Sequence, residues 1–275
     1  MTRLSSSDVR TIDSWAEYDR LIRNQLGVDL LGLAAASADL PAAEVRRGLA
    51  GRKLAAVSIS SGNGVVGGFA AGLAAIGRRL GLEARVMDAP DEEGFAQAIR
   101  WGADLVIHAD DDRFLVRDSL GRIADNNPAT SRVFVAALEL MAEGRSLAGR
   151  EVVVLGLGVI GRGAARRLVE LGAVPLMYDP DENRRPAAEA EAGPGKILRD
   201  RGALAKALAR TNLIFEAVPS SQVLDENLWP EHPVVAAPGV PLAWPESWLR
   251  PGARGRLWHD PLQSGTAAML AQLSL

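Results

Sequence analysis

Two glycine-rich turns carry the residues best able to do chemistry in this 275-residue chain. The first is Ser60-Ser61-Gly62-Asn63-Gly64-Val65-Val66-Gly67, and the second is Gly156-Leu157-Gly158-Val159-Ile160-Gly161. Each has G-x-G-x-x-G spacing, follows a short apolar run, and leads through an apolar helical pattern to a second apolar run. Those second runs end in acids, Asp88 and Asp179 respectively. A unit of this kind offers backbone N–H groups at a helix N-terminus to a diphosphate. It also places an acidic side chain, about twenty residues further on, where a ribose hydroxyl can be accepted. The glycine spacing alone is a weak signal, so the surrounding strand and helix patterns carry the inference.

The two turns differ in chemistry. The second is apolar around its glycines, as expected where backbone amides alone meet a pyrophosphate. Gly156 permits the tight turn, Gly158 admits the phosphates, and Gly161 lets helix and strand pack closely. The acid Asp179 is followed by Pro180, Asp181 and Glu182, with no adjacent Arg or Lys to receive a 2′-phosphate. The expected cofactor is therefore NAD, held by Gly156, Leu157, Gly158, Val159, Ile160, Gly161, Asp179 and Pro180. The first turn is lined by Ser58, Ser60, Ser61 and Asn63, which donate and accept hydrogen bonds. It suits a carboxylate or amino-acid head group; a plain βα turn whose serines cap the helix is the alternative.

A third candidate is Asp110-Asp111-Asp112 at the end of the apolar run from Asp104 to Ala109. Ligands of open α/β sheets bind beyond the carboxyl ends of strands. An acid there can hold a cationic amine, hold a divalent ion, or stand in a solvated turn; no further ligand lies at metal spacing, so no metal is expected. Asn126 and Asn127, ahead of Pro128, read as helix caps that could also meet a ligand. Ala217, Val218 and Pro219, with Pro238 at the next strand end, offer small and prolyl surfaces against which a flat nicotinamide can lie; loop punctuation explains them equally well. Bases are scarce. Lys53, Lys196 and Lys206 fall outside the expected strand-end loops, His108 reads as a core residue and His232 as exposed, which leaves His259 beside Asp260. A deprotonated amine expels hydride with its own lone pair, so oxidation of a CH–NH2 group needs positioning by Asp110, Ser61 and Asn63 more than a strong base.

The elements that must position these groups follow from periodicity. Strand patterns alternate with helical ones along the chain, which predicts α/β architecture: an N-terminal α/β substrate domain over residues 1–145 and a C-terminal Rossmann doubly wound domain over 146–275. A cleft between them is the expected active site. The helix from Ser7 to about Gln25 serves packing or a lid. Ile123–Thr130 reads as a turn before a long connecting helix, 186–195 as an excursion with little chemistry, and Ser264 as the cap of a closing helix that stays or crosses back to the first domain. At 48% hydrophobic and 24% charged residues the composition is that of a globular protein. A net charge of -3 draws neither nucleic acid nor an anionic membrane. Zero cysteines excludes disulfides and thiolate chemistry. No leader or membrane-spanning run is legible, so a cytoplasmic enzyme is expected.

Several of these stretches occur together, and in order, in one family. SGNG at Ser61–Gly64, DAPD at Asp88–Asp91, ADD at Ala109–Asp111, IADNNPAT at Ile123–Thr130, LGLGVIG at Leu155–Gly161, YDPDE at Tyr178–Glu182, IFEAVP at Ile214–Pro219, APGVP at Ala237–Pro241 and DPLQSGTAAML at Asp260–Leu270 resemble the pyrrolysine synthase family across most of the chain. The first fifty residues match weakly, Asp125-Asn126-Asn127-Pro128 stands where the family has Asn-Asn-Gln-Pro, and Asp260 replaces a glutamate. The resemblance implies NAD-dependent oxidation of the terminal amine of 3-methylornithyl-N6-lysine, loss of ammonia, and cyclisation to a pyrroline ring, the last step of pyrrolysine biosynthesis. It implies Ser61, Asn63, Asp110 and Asn126 as substrate-site positions, with Asp110, Ser61 and Asn126 serving the reaction. The expected partner is the small-molecule substrate and the expected assembly a homodimer. A methylenetetrahydrofolate- or shikimate-type dehydrogenase relative, and a non-catalytic NAD-binding protein, are the rival readings.

Overall fold

The computed structural model describes residues 15–62, 65–142, 146–192, 196–218, 224–242 and 255–275. The chain forms two compact units. Unit 1 contains Val28–Ala129, Pro261–Leu275 and the segment up to Arg23; unit 2 contains Thr130–Asp260 with Asn24–Gly27.

In chain order the N-terminal elements are α1 (Trp15–Leu26), α2 (Leu30–Ser37), α3 (Ala42–Leu49), β1 (Lys53–Ser58), α4 (Phe69–Arg79), β2 (Glu83–Val86), α5 (Asp91–Trp101), β3 (Leu105–Ala109), β4 (Phe114–Asp118), β5 (Ile123–Asp125) and α6 (Asn126–Met141). The sheet of unit 1 runs in the order β2-β1-β3-β4-β5. The first three strands are parallel and β4 and β5 continue as an antiparallel meander. Leu54, Ala55, Ala56 and Val57 of β1 are all buried, as a strand covered on both faces requires. His108 sits in β3 opposite Val57, buried, with its ring edge-on to Phe95 at 5.2 Å. Neither ring nitrogen has a hydrogen-bond partner among the described residues, and burial pushes its pKa down, so the imidazole is a neutral core group.

Two expectations are corrected here. Ile123–Thr130 is no turn: its first three residues pair with β4, and the helix begins at Asn126. The acid that caps that helix is Asp125, whose Oδ1 accepts the Asn127 amide at 2.8 Å. The Ser7 helix start lies outside the described residues.

The remaining elements are β6 (Glu151–Leu155), α7 (Val159–Glu170), β7 (Val174–Tyr178), a 3-10 turn at Glu182–Arg184, α8 (Arg185–Ala192), β8 (Lys196–Ile197), α9 (Arg201–Leu208), β9 (Leu213–Glu216), β10 (Val234–Ala236), β11 (Arg256–Trp258) and α10 (Gln263–Gln272). Unit 2 has one six-stranded sheet, order β11-β10-β9-β6-β7-β8, parallel at every pairing. Renumbered from β6, that is the 6-5-4-1-2-3 order of the Rossmann fold, with its topological switch point between β6 and β9. Its core gathers Val153, Leu155, Leu176, Leu204, Ile214, Trp229 and Val235. The stretch read as an excursion holds a helix, α8.

The closing helix α10 belongs to unit 1 and packs on α2 and α4. It carries no apolar stripe because it is buried all round, Gln263 to Ala271 included. Ser264 lies inside the helix, fully buried; Leu262 is the residue before its first turn, so Ser264 is not the cap. Arg52 Nη1 donates to the Leu273 carbonyl at 2.6 Å, and Arg122 bridges the last residues to the buried carboxylate of Asp118, with Nε to Oδ2 at 2.6 Å.

Candidate functional sites

In unit 1, chain pairing brings the expected substrate residues to one end of the sheet. β1 and β3 are parallel and in register from Leu54–Leu105 to Ser58–Ala109, so Ser60-Ser61-Gly62 and Asp110-Asp111-Asp112 leave adjacent strands side by side. Gly62 has φ +69, and a side chain there would overlap the Asp111 carboxylate. The positive φ favours glycine here, and the exposed Asp111 side chain lies close against it. The β5 ladder places Asn126 at the same end: Asp125 pairs with Leu115, which pairs with His108. Two strand spacings put Asn126 about 10 Å from the β3 line. Asn63 lies outside the described residues.

The polar groups of this end mostly hold the turns. Ser60 donates its amide to Asp91 Oδ1 at 2.9 Å and its hydroxyl to Oδ2. Asp110 Oδ1 accepts the amides of Asp112 (2.8 Å) and Arg113 (2.6 Å), closing the β3–β4 hairpin. Those amides, Arg113 first, hold the Asp110 carboxyl below the usual carboxylate range. Ser61, Asp110 and Asp111 are exposed, so an ionised carboxylate faces solvent beside a hydroxyl. Asp110 is therefore anionic at any pH near neutrality, as pairing with a cationic amine needs.

In unit 2 the second glycine turn is built from backbone. Gly156 has φ +87, and a Cβ there would stand 2.8 Å from the Ala217 carbonyl oxygen. A Cβ on Gly161 would overlap the Gly156 carbonyl oxygen, so α7 leaves the strand at the closest possible approach. α7 has no side-chain cap and no acid in its first turn, which leaves its N–H groups available to an anion. Gly158 has free space on its Cβ side apart from Arg184 Nη1 at 3.5 Å.

Asp179 is buried and its two oxygens already take backbone amides, Leu157 at 2.7 Å and Asp181 at 2.9 Å. A carboxylate has about four lone-pair sites, so room remains for a ribose hydroxyl. It also ties the glycine turn to β7. The expectation that no cation stands near this acid is corrected: the 3-10 turn returns Arg184 to 3.9 Å from Asp179 Oδ2. Pro180 is exposed, and Pro219 lies outside the described residues.

Beside the turn, Ala217, Val218 and Pro238 follow β9 and β10, next to β6 in the sheet order. Glu216 of the IFEAVP stretch, whose motif does not single it out, stands at the same strand end as Ala217 and Val218. It ends β9 opposite Leu155, is 1% exposed, and its Oε1 accepts the Val218 amide at 2.6 Å. Oε2 has no partner among the described residues, and burial pushes the carboxyl up to about 7. A lone acid inside an otherwise apolar strand, Leu-Ile-Phe-Glu, was the available signal. His259 follows β11, its Nδ1 2.8 Å from the Ala237 carbonyl oxygen. With a carbonyl facing it, Nδ1 is the donor of this pair. Among the described residues no cluster of three or more His, Cys, Asp or Glu could hold a metal, and no helix is long and apolar enough to cross a membrane.

A Rossmann unit joined to a second α/β unit is the plan of the shikimate dehydrogenase class. Shikimate dehydrogenase from Aquifex aeolicus superposes with a TM-score of 0.52 at 11% identity, covering 82% of this chain and 91% of that one. Quinate dehydrogenase from Corynebacterium glutamicum in complex with NAD gives 0.51 at 13% identity, covering 82% and 93%. These likenesses define the fold alone, and the family is read from sequence. The chain is 31% identical to pyrrolysine synthase of Methanosarcina barkeri (strain Fusaro / DSM 804) over 274 residues, 98% of this chain and 97% of that protein. It is 29% identical to pyrrolysine synthase of Methanosarcina acetivorans over 98% of both. Residues 12–121 match the family model described as pyrrolysine biosynthesis protein PylD, N-terminal domain. The chain belongs to the pyrrolysine synthase family.

Proposed function

We propose that this protein is an NAD-dependent oxidoreductase of the CH–NH2 class that completes pyrrolysine biosynthesis. The observation that carries the cofactor reading is the Gly156–Gly161 turn at a Rossmann switch point, where the uncapped first turn of α7 follows Gly158 and Asp179 holds the Leu157 amide beneath it. The substrate reading rests on family membership and on the anionic Asp110 grouped with Ser61 and Asn126 at one sheet end. The Gly156–Gly161 turn and Asp179 would hold the dinucleotide, which would supply the hydride acceptor. The substrate, 3-methylornithyl-N6-lysine, loses that hydride from the carbon bearing its terminal amine and a proton from the nitrogen. Water adds to the resulting imine and ammonia leaves. The neighbouring α-amine closes on the aldehyde, loses water, and gives the pyrroline ring.

Asp110 pairs with a cationic amine of the substrate, while Ser61 and Asn126 orient the polar groups beside it. His259, at a strand end, is a candidate for receiving a proton. The protein works as a cytoplasmic homodimer. NAD is preferred on the strength of the buried Asp179, but Arg184 beside it is the feature that would favour NADP. Parallel titrations with both dinucleotides decide between them; tighter NADP binding, lost in Arg184→Ala, would overturn the NAD reading.

The central test mixes purified protein, NAD and 3-methylornithyl-N6-lysine and follows NADH absorbance and product mass together. NADH with the mass of pyrrolysine is the expected result. Asp110→Ala should abolish NADH formation while NAD binding is retained; unchanged turnover would remove Asp110 from the site. The rival reading of a shikimate- or folate-type dehydrogenase predicts NADH formation with alcohol or folate substrates and none with the amine.

A further inference from the structure

Glu216 stands where the fold allows few alternatives. It is the last residue of β9, opposite Leu155 of β6, and so lies at the carboxyl end of the switch point itself. Its side chain is buried, one oxygen is held by the Val218 amide, and the other has no partner among the described residues. The turn after β10 passes close by: a Cβ on Gly239 would stand 2.9 Å from the Val218 carbonyl oxygen and in ordinary contact, 3.5 Å, with both carboxyl oxygens.

Among the described residues, burial is the largest influence on its carboxyl, and the Val218 amide is the one hydrogen bond that opposes it. β6 and β10 present Leu155, Ala236 and Ala237. At the other strand ends, Asp179 is held by the Leu157 and Asp181 amides, the His259 ring lies against the Ala237 carbonyl, and the guanidinium of Arg162 in α7 bonds the Leu157 carbonyl and Glu191. An uncompensated buried carboxyl carries its proton until a positive charge arrives. In a dinucleotide site the oxidised nicotinamide ring is such a charge, and the reduced ring is neutral.

We propose that Glu216 is a proton-holding residue of the dinucleotide site: it releases its proton to solvent when the cationic oxidised cofactor is bound and retakes one when the cofactor is reduced. Only its O–H bond breaks and re-forms, and hydride transfer is separate from it. The inference rests on the nicotinamide reading above. Its consequence is that the protein's preference between the two redox states of the cofactor depends on pH through this one side chain.

Calorimetric titration of the full-length protein with NAD and with NADH, at pH 6 to 8 and in buffers of different ionisation heat, tests it without turnover. Wild type should release protons on binding NAD and none on binding NADH. Its NAD affinity should rise about tenfold from pH 6 to pH 8. Glu216→Gln, which keeps the Val218 bond, should show no proton release and a flat profile. An infrared band of a protonated carboxyl, lost from wild type on adding NAD and missing from the variant, gives a second readout. Binding of NAD by wild type without proton release, or a Glu216→Gln profile identical to wild type, overturns the role of Glu216 and leaves the cofactor reading standing. Failure of wild type to bind either dinucleotide at any pH overturns both.

Discussion

The two glycine turns began from nearly the same sequence pattern and are held in opposite ways. In unit 1 the Ser60–Gly62 turn is exposed and braced by a carboxylate: Asp91 takes both the amide and the hydroxyl of Ser60. In unit 2 the Gly156–Gly161 turn is braced by backbone, with the Gly156 and Ala217 carbonyls as its walls and one buried acid, Asp179, beneath it. The first arrangement leaves ionised and hydroxyl groups facing outward, which suits a polar head group. The second removes side chains so that bare amides face outward, which suits a diphosphate. Equal spacing of glycines therefore says little about the ligand; what satisfies the turn from below decides what it can offer above.

That contrast breaks most severely at Gly161. Gly161→Val puts a branched side chain onto the Gly156 carbonyl, where neither backbone segment can yield, and should cost about 3 kcal/mol or more. Circular dichroism melting and dinucleotide titration should show lower stability and no measurable NAD affinity. Wild-type behaviour would mean the turn is looser than its geometry.

Next comes the pH response of Glu216. Its carboxyl is raised from 4.5 to about 7 in the folded protein, so the folded state binds the proton over a range where the unfolded state has released it. Stability from this group should fall as pH rises from about 4.5 to 7, by a total on the order of 3 kcal/mol. Glu216→Gln should therefore match wild type near pH 4.5 and exceed it at pH 8 in denaturant midpoint. Parallel curves for the two proteins would show that the carboxyl does not stay protonated when buried.

Asp179→Ala leaves the Leu157 amide without its buried acceptor, a loss of about 1–3 kcal/mol, and should weaken NAD binding at least tenfold without touching unit 1. The smallest effect belongs to the first turn. Ser60→Ala removes a solvent-exposed bond to Asp91 and should change stability by less than about 1 kcal/mol. It should raise the KM for the substrate while NAD affinity stays the same. An equal loss of NAD affinity in this variant would contradict the division of labour between the turns.

Local patterns were legible where a single period or a single spacing settles the outcome. β6 runs straight into the turn at Gly156, since a Val-rich run ended by glycines has few other solutions. Meanders and caps were not. β5 is three residues with no alternation to read, and it exists because β4 supplies the ladder. Ser264 resembles a cap in sequence, but the helix starts one residue earlier within a fully buried segment.

The sequence by itself determined the α/β class, the two glycine turns and the family, because each rests on short-range spacing and residue type. Only the tertiary structure decided that α10 returns to unit 1, where Arg52 and Arg122 take its last carbonyls. Parallel pairing of β1 and β3 set the Asp110 turn beside the Ser61 turn, and the 3-10 turn after β7 returned Arg184 to the acid it follows by five residues. And only strand order placed Glu216 at the switch point, since a carboxyl's ionisation is governed by what surrounds it in space, and burial is not written in its neighbours along the chain.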